Sequence, residues 1–304
     1  MKKILAICMA LCMGLLSGCA AYGLPFKGED SNVSELPEEC KGSHDFASVL
    51  VRLLDSGEKN LAVSPLSAYI ALAMTAEGAS GETLTQFENT LGASVDDISK
   101  AVNTIGNNLM DLKGSTKIAL AQSVWTDEDV EFSESYIKDL GDKYTADLFS
   151  GKLSSDAIRE AINRWASDKT NGLIENFLGE NLPEETVMAL MNSLYFKGTW
   201  QKEFDSETWK DEFQNYDGTK GEAEYMYSSS NYRYINSDDT YGVVIPYDDG
   251  KTEFIALMPK ESTTLPSAMA CKLGTQGIAE LADSAKSVKV NLTLPAFTTE
   301  SSST

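Results

Sequence analysis

Histidine is nearly missing from this sequence. His44 is the only one in 304 residues, so a zinc site of recognisable His/Cys spacing is not encoded. A Ser-His-Asp triad would have to use His44, and no Gly-x-Ser-x-Gly elbow accompanies it. The bland reading of His44 is an exposed residue at a helix start. Basic residues are also scarce, with 25 Lys and Arg against 46 Asp and Glu, for a net charge of −21. That balance argues against nucleic acid, against adhesion to anionic lipid through the protein surface, and against a polyanionic regulator. No apolar run is long enough to cross a bilayer, which takes about 20 residues. The longest, Ile4 to Leu16, falls short. No internal repeat is present.

What is present at the amino end has a processing signature. Lys2 and Lys3 precede the apolar run, and Leu16-Ser17-Gly18-Cys19 follows it. A charged start, a short apolar stretch and small residues before a cut site make a secretory signal. The Cys directly after the small residues resembles the bacterial lipoprotein box. That resemblance implies a signal peptide over residues 1–18, cleavage before Cys19, and lipidation of Cys19 on the extracellular side of the cell envelope. Residues 19–43 are rich in Gly, Pro, Ser and acid and lack a period, so they are expected to be a tether spanning roughly 25–30 Å as a flexible coil. Cys8 and Cys12 would leave with the signal. Cys40 and Cys271 would remain, and whether they pair stays open.

From residue 44 to residue 304 the pattern is that of a folded domain. Phe46, Val49, Leu50, Leu53 and Leu54 share one helix face. Further helices are predicted around Ser67–Ala76, Leu84–Leu91 (with Gly92 as a left-handed stop), Ile98–Leu109, Tyr136–Leu140 behind a Ser133 cap, Ile158–Ala166 after Ser155, and Thr264–Ala285. Alternation predicts a strand over Thr116–Trp125 and a half-buried one through Val288, Val290, Leu292 and Leu294. The apolar run Thr186–Phe196 predicts a strand buried on both faces. Asp217-Gly218 reads as a turn, and Asp248-Asp249-Gly250 as a hairpin joining Tyr241–Pro246 to Glu253–Met258. Helices come first and strands later, which places the chain in the α+β class.

Three stretches go further. They are Asn60-Leu61-Ala62-Val63-Ser64-Pro65-Leu66-Ser67; Ile162-Asn163-Arg164-Trp165 running into Thr170-Asn171-Gly172-Leu173-Ile174; and Asn192-Ser193-Leu194-Tyr195-Phe196-Lys197-Gly198-Thr199-Trp200. In order and spacing they resemble motifs of the serpin family of protease inhibitors, as do Pro246-Tyr247, Met258-Pro259 and Leu294-Pro295-Ala296-Phe297. The resemblance implies a serpin-like fold, with helices around a large central sheet and smaller sheets beside it. Thr116–Trp125 and Thr186–Tyr195 would be neighbouring strands, with the Trp165 helix lying across them. Asn60, Ser64, Pro65, Ser67 and Asn192 would lie beneath the place where the sheet parts, with Trp200 near the top of the opening. Tyr195, Phe196, Lys197 and Gly198 belong to the family motif. The implied activity is suicide inhibition of a serine, or sometimes cysteine, protease: a cleaved bait loop inserts as a new strand and drags the acyl-enzyme with it. No catalytic residue, metal, cofactor or small-molecule substrate is implied. The partners would be a target protease and, through the lipid, a membrane, and the completed domain would be a monomer.

The sequence is expected to stop before the bait loop, so the reactive bond would be absent from the chain. Two strands, near Leu61–Val63 and over Val288–Phe297, are then expected to lose their pairing partners and expose edges, leaving an aggregation-prone, non-inhibitory fragment. Rival readings attach to particular residues. Ser135-Tyr136-Ile137-Lys138 matches the serine-x-x-lysine pattern of a hydrolase, and Lys169-Thr170-Asn171-Gly172 faintly echoes a second lysine motif; the bland alternative is a capped surface helix. A solute-binding lipoprotein would need alternating strands and helices in two lobes. A non-inhibitory serpin-fold scaffold stays open. For Ser64-Pro65 and Ser67 the bland reading is a helix entry. For Asp238-Asp239 and Asp248-Asp249 it is a turn and not a calcium loop.

Overall fold

The computed structural model describes residues 45–57, 60–110, 114–215, 218–261 and 264–299, with residues 107–110 described by backbone alone. The leader, Cys19, the 19–43 segment, His44 and Asp217 lie outside the described residues. Among those described, four helices come first: α1 (Phe46–Leu54), α2 (Pro65–Ala76), α3 (Gly81–Leu91) and α4 (Val95–Met110). Then follow β1 (Lys117–Asp127), α5 (Glu134–Tyr144), β2 (Asp147–Gly151), α6 (Asp156–Lys169) and β3 (Met188–Lys197). The remainder is β4 (Trp209–Gln214), β5 (Lys220–Asn236), β6 (Thr240–Pro246), β7 (Glu253–Pro259), α7 (Pro266–Ser284) and β8 (Lys286–Ala296).

Local chemistry sets most of these boundaries. Asp45 caps α1 by accepting from the Ala47 and Ser48 amides, and Ser155 caps α6 by accepting from Ile158 N–H. Gly92 ends α3 with φ 75°, a left-handed conformation that costs glycine little. Ser133 occupies the cap position of α5 but makes no capping bond; its hydroxyl meets Ser135 Oγ at 2.7 Å instead. Gly274 breaks α7 with φ 68°. The next amide, Thr275 N–H, donates to Asp45 Oδ2, so one carboxylate holds both the start of α1 and the break in α7.

Two sheets result. The first has the order β2-β1-β3. β1 runs parallel to β2 and antiparallel to β3, with Gln122 opposite Asn192 and Ala121 opposite Ser193. Alternation sends Leu120 and Val124 of β1, with Met188 and Leu190 of β3, to one face. There they pack with Ile70, Ala73 and Met74 of α2, together with Leu140 and Tyr144 of α5. Ala121, Trp125, Ala189 and Met191 go to the opposite face, against Ile162, Trp165 and Ala166 of α6. The second sheet is organised by the long strand β5. β8 lies along one of its edges from Tyr234 to Glu224, while β4 and β6 share the other. β7 pairs with β6.

Three expectations change, and a fourth stands in part. β2 was not foreseen; five residues of which three are exposed carry no alternation. β3 is not buried on both faces: only Ser193 and Tyr195 are buried and the rest are half-buried or exposed, because β1 is its only strand neighbour among the described residues. Leu61–Val63 forms no strand and leads as half-buried coil into α2. Val288–Phe297 is laddered to β5 along one edge as β8, and its other edge has no strand beside it among the described residues; Val288 itself is exposed.

Candidate functional site

The motif residues gather on the two faces of the first sheet and at its end. Ser64 is the N-cap of α2. Its Oγ accepts from Ser67 N–H at 3.3 Å and lies 2.9 Å from Ser67 Oγ, while Pro65 fills the first helical position. The helix-entry reading of these residues is therefore correct as local chemistry. It also places α2 under β3, its nearest strand. Asn60 is exposed upstream of the cap.

Asn192 lies on the α2 face of β3, in step with Leu190 and Met188. Its Nδ2 and Oδ1 are both buried without a hydrogen-bond partner, and Ser193 Oγ, on the α6 face, is buried and unpartnered as well. Leaving a buried polar group unpaired costs about 1–3 kcal/mol. Three such atoms on adjacent residues of a strand with one bare edge form a concentrated polar deficit in this structure. Elsewhere in the sheet the polar groups are met: Trp125 Nε1 donates to Ser123 Oγ at 2.9 Å, and Trp165 Nε1 to Asp147 Oδ2 at 2.9 Å.

The end of β3 is built around Tyr247. Trp200 stacks on Tyr247 at 4.6 Å between ring centroids, and Phe196 meets the same ring edge-on at 5.0 Å. A β-bridge joins Trp200 to Tyr247, and Gln201 N–H donates to Pro246 O. A side chain at Gly198 would place Cβ 2.3 Å from the Tyr247 ring. The close approach of that ring therefore dictates the glycine in the motif. Trp200 also packs on Phe204 and Phe254 of the second sheet's core. It thus ties the two sheets together at the point where β3 ends. Tyr195 is buried in β3, and Lys197 is exposed at the strand's end.

Asp248, legible in the sequence only as a turn residue, completes this corner. Its carboxylate accepts from Ser115 N–H (2.8 Å), Ser115 Oγ (2.7 Å), Thr116 N–H (3.1 Å) and Thr116 Oγ1 (2.7 Å). Bonds from Ser115, then Thr116, outweigh desolvation and lower its pKa to about 2. Thr199 N–H donates to Thr116 Oγ1, and Asp248 N–H to Thr199 O. The hairpin between β6 and β7 is thus latched to the start of β1 and the end of β3. Asp249 accepts from the Lys251 and Thr252 amides within the turn, and Asp239 pairs with Lys272 at 2.7 Å.

The rival residues are engaged elsewhere. Lys138 bonds Asp142, and Ser135 bonds Ser133. Lys169 pairs with Asp147 at 2.9 Å. No group of three or more His, Cys, Asp and Glu side chains suited to a metal occurs among the described residues. No described helix is long and apolar enough to cross a membrane. Cys271 is buried and disulfide-bonded, with its partner outside the described residues. The pairing left open by the sequence thus involves Cys271.

Comparison with known proteins agrees with this geometry. The family model described as Serpin (serine protease inhibitor) matches residues 41–304. Serpin-Z2A of Oryza sativa subsp. japonica is 34% identical over 222 residues, covering 69% of this chain and 52% of the relative. A serine protease inhibitor of Cyanea capillata is 30% identical over 228 residues, covering 71% and 59%. The native crystal structure of tengpin, a thermophilic serpin, superposes with a TM-score of 0.75 at 30% identity, over 88% of this chain and 68% of tengpin. Its latent state gives 0.74 at 31% identity, over 86% and 72%. The chain spans about half the length of the curated relatives it matches. The family model, the two-sheet α+β fold and the corner built by Asn192–Trp200 lead to one conclusion: this chain belongs to the serpin family.

Proposed function

We propose that this chain carries the sheet-opening part of a serine protease inhibitor that traps its target by strand insertion. The observation that carries the reading is β3. It has β1 on one side and no strand on the other among the described residues, and it holds Asn192 and Ser193 buried without partners. A strand laid along that edge would gain backbone pairing and supply donors and acceptors to those side chains. Ser64, Pro65 and Ser67 would set the floor beneath the opening, and Trp200 would hinge it to the second sheet. The family model's description and the name of the Cyanea capillata relative support a serine protease as the target; a cysteine protease is the alternative.

The test uses a form of the protein extended to the full length of its relatives. Incubated with a panel of serine and cysteine proteases, it should yield an SDS-stable complex with at least one. Cleavage without complex, across the whole panel, would sink the inhibitory reading and leave a binding scaffold of the same fold. We further propose that Cys19 is lipidated and holds the domain, as a monomer, at the extracellular side of the envelope. Cys19→Ser should move the protein from the membrane fraction to the soluble one; equal membrane association of both forms would refute the anchor.

A further inference from the structure

The edge of β5 opposite β8 is interrupted. β4 pairs with it only as far as Tyr225, and β6 begins pairing at Arg233. The segment between Trp200 and Trp209 crosses this gap, with Asp205 N–H donating to Tyr227 O at 2.8 Å and Lys202 Nζ to Ser229 O at 2.9 Å. The gap leaves a notch of about 450 Å³ lined by Asp205, Ser206, Glu207, Trp209 and Tyr227. Its lining residues are of two kinds. Trp209 is opposite Tyr225 in register and stacked on it at 5.9 Å. Tyr225 and Tyr227 share a face of β5, so an aromatic surface runs along one side. Trp209 is 41% exposed, while Trp125 and Trp165 are buried in the first sheet. Asp205 and Glu207 also line the notch, and both are exposed. Neither makes an ion pair or a side-chain hydrogen bond among the described residues, whereas the neighbouring acids Glu222 and Glu224 are engaged by Lys210 and Thr208.

We propose that this notch binds an arginine side chain presented by a basic segment of a partner protein. Two unpaired carboxylates beside an exposed indole match a guanidinium, which forks to carboxylates through its edge and stacks on an aromatic through its face. A carboxylate or phosphate group would be repelled there, and an apolar side chain would strip water from two charges without replacing it. The field of a chain with net charge −21 favours the approach of a basic segment. The site belongs to the second sheet and does not depend on strand insertion at β3.

The test is calorimetric titration of the full chain with an arginine–glycine repeat peptide, beside its lysine and its uncharged citrulline counterparts. The arginine peptide should bind, quench Trp209 fluorescence and outcompete the lysine peptide, while the citrulline peptide should not bind. The double variant Asp205→Asn, Glu207→Gln should weaken binding about tenfold, and Trp209→Leu about threefold or more, with circular dichroism unchanged. A remote pair, Glu180→Gln and Glu184→Gln, removes the same charge elsewhere and should change affinity by less than about twofold. Equal weakening by the remote pair would mark diffuse attraction to an acidic protein and overturn the proposal. So would equal binding of the lysine or citrulline peptide.

Discussion

Single residues decide whether the corner at the end of β3 holds. Gly198 faces the Tyr247 ring at a distance no Cβ can occupy. Gly198→Ala must push apart the stack of Trp200 on Tyr247, at a cost of about 1–3 kcal/mol. Denaturant titration should show a lower midpoint with an unchanged slope. Asp248 gives a pH signature. Its folded pKa, about 2, lies below the ordinary 3.8. Its stabilising contribution is therefore whole above the unfolded value and is lost as pH falls through the folded one. The stability difference between the parent chain and Asp248→Asn should be constant near neutrality and shrink between about pH 4 and pH 2. A difference that grows on acidification would contradict the four-bond latch. The motif spelled out Gly198, whereas Asp248 was legible only as a turn. A turn residue's long-range partners, here Ser115 and Thr116, are not written beside it.

At the scale of elements, α2 and β3 have opposite demands. The entry to α2 is satisfied locally through Ser64 and Ser67. Ser64→Ala should cost about 1 kcal/mol, the ordinary price of an N-cap, measurable by thermal unfolding. β3 is the reverse case: Asn192 gains no bond in this structure. Replacing it with an apolar side chain of similar size removes an unmet polar group. Asn192→Val should therefore leave the chain as stable as before or raise its stability by about 1 kcal/mol. The same variant should take up an added extended peptide less well than the parent does. A marked loss of stability without peptide would mean that Asn192 is paired in solution. The sequence pattern predicted three of these strands, β1 and β8 by alternation and β3 by a continuous apolar run. It missed β2, whose exposed Leu148 and Phe149 break the pattern. It overstated the burial of β3, since an apolar strand is buried on both faces only when both its neighbours are present.

The whole molecule is an acidic body with two sheets joined at Tyr247, Trp200 and Asp248. With a net charge of −21, self-repulsion opposes the compact state. The Debye length shortens from about 30 Å at 0.01 M salt to about 8 Å at 0.15 M. The melting temperature should rise over that range, by about 2–4 °C for each kcal/mol of repulsion relieved. A salt-independent melting temperature would mean that the carboxylates are already neutralised by local pairing. β8 is laddered to β5 along one edge and has no strand on its other edge among the described residues, so β8 as well as β3 presents an open pairing edge.

The amino-acid sequence by itself determined the α+β class, the positions of the helices and most strands, and the family. These rest on spacing, capping residues and contiguous motifs, all of which are local. Only the tertiary structure decided that the side-chain polar atoms of Asn192 and Ser193 lie buried and unpaired, that Asp248 reaches Ser115 and Thr116, and that Asp205, Glu207 and Trp209 line one notch. Each of these depends on segments far apart in the chain meeting at a particular register. Contacts of that kind are set by packing the whole sheet, and no short window of residues contains them.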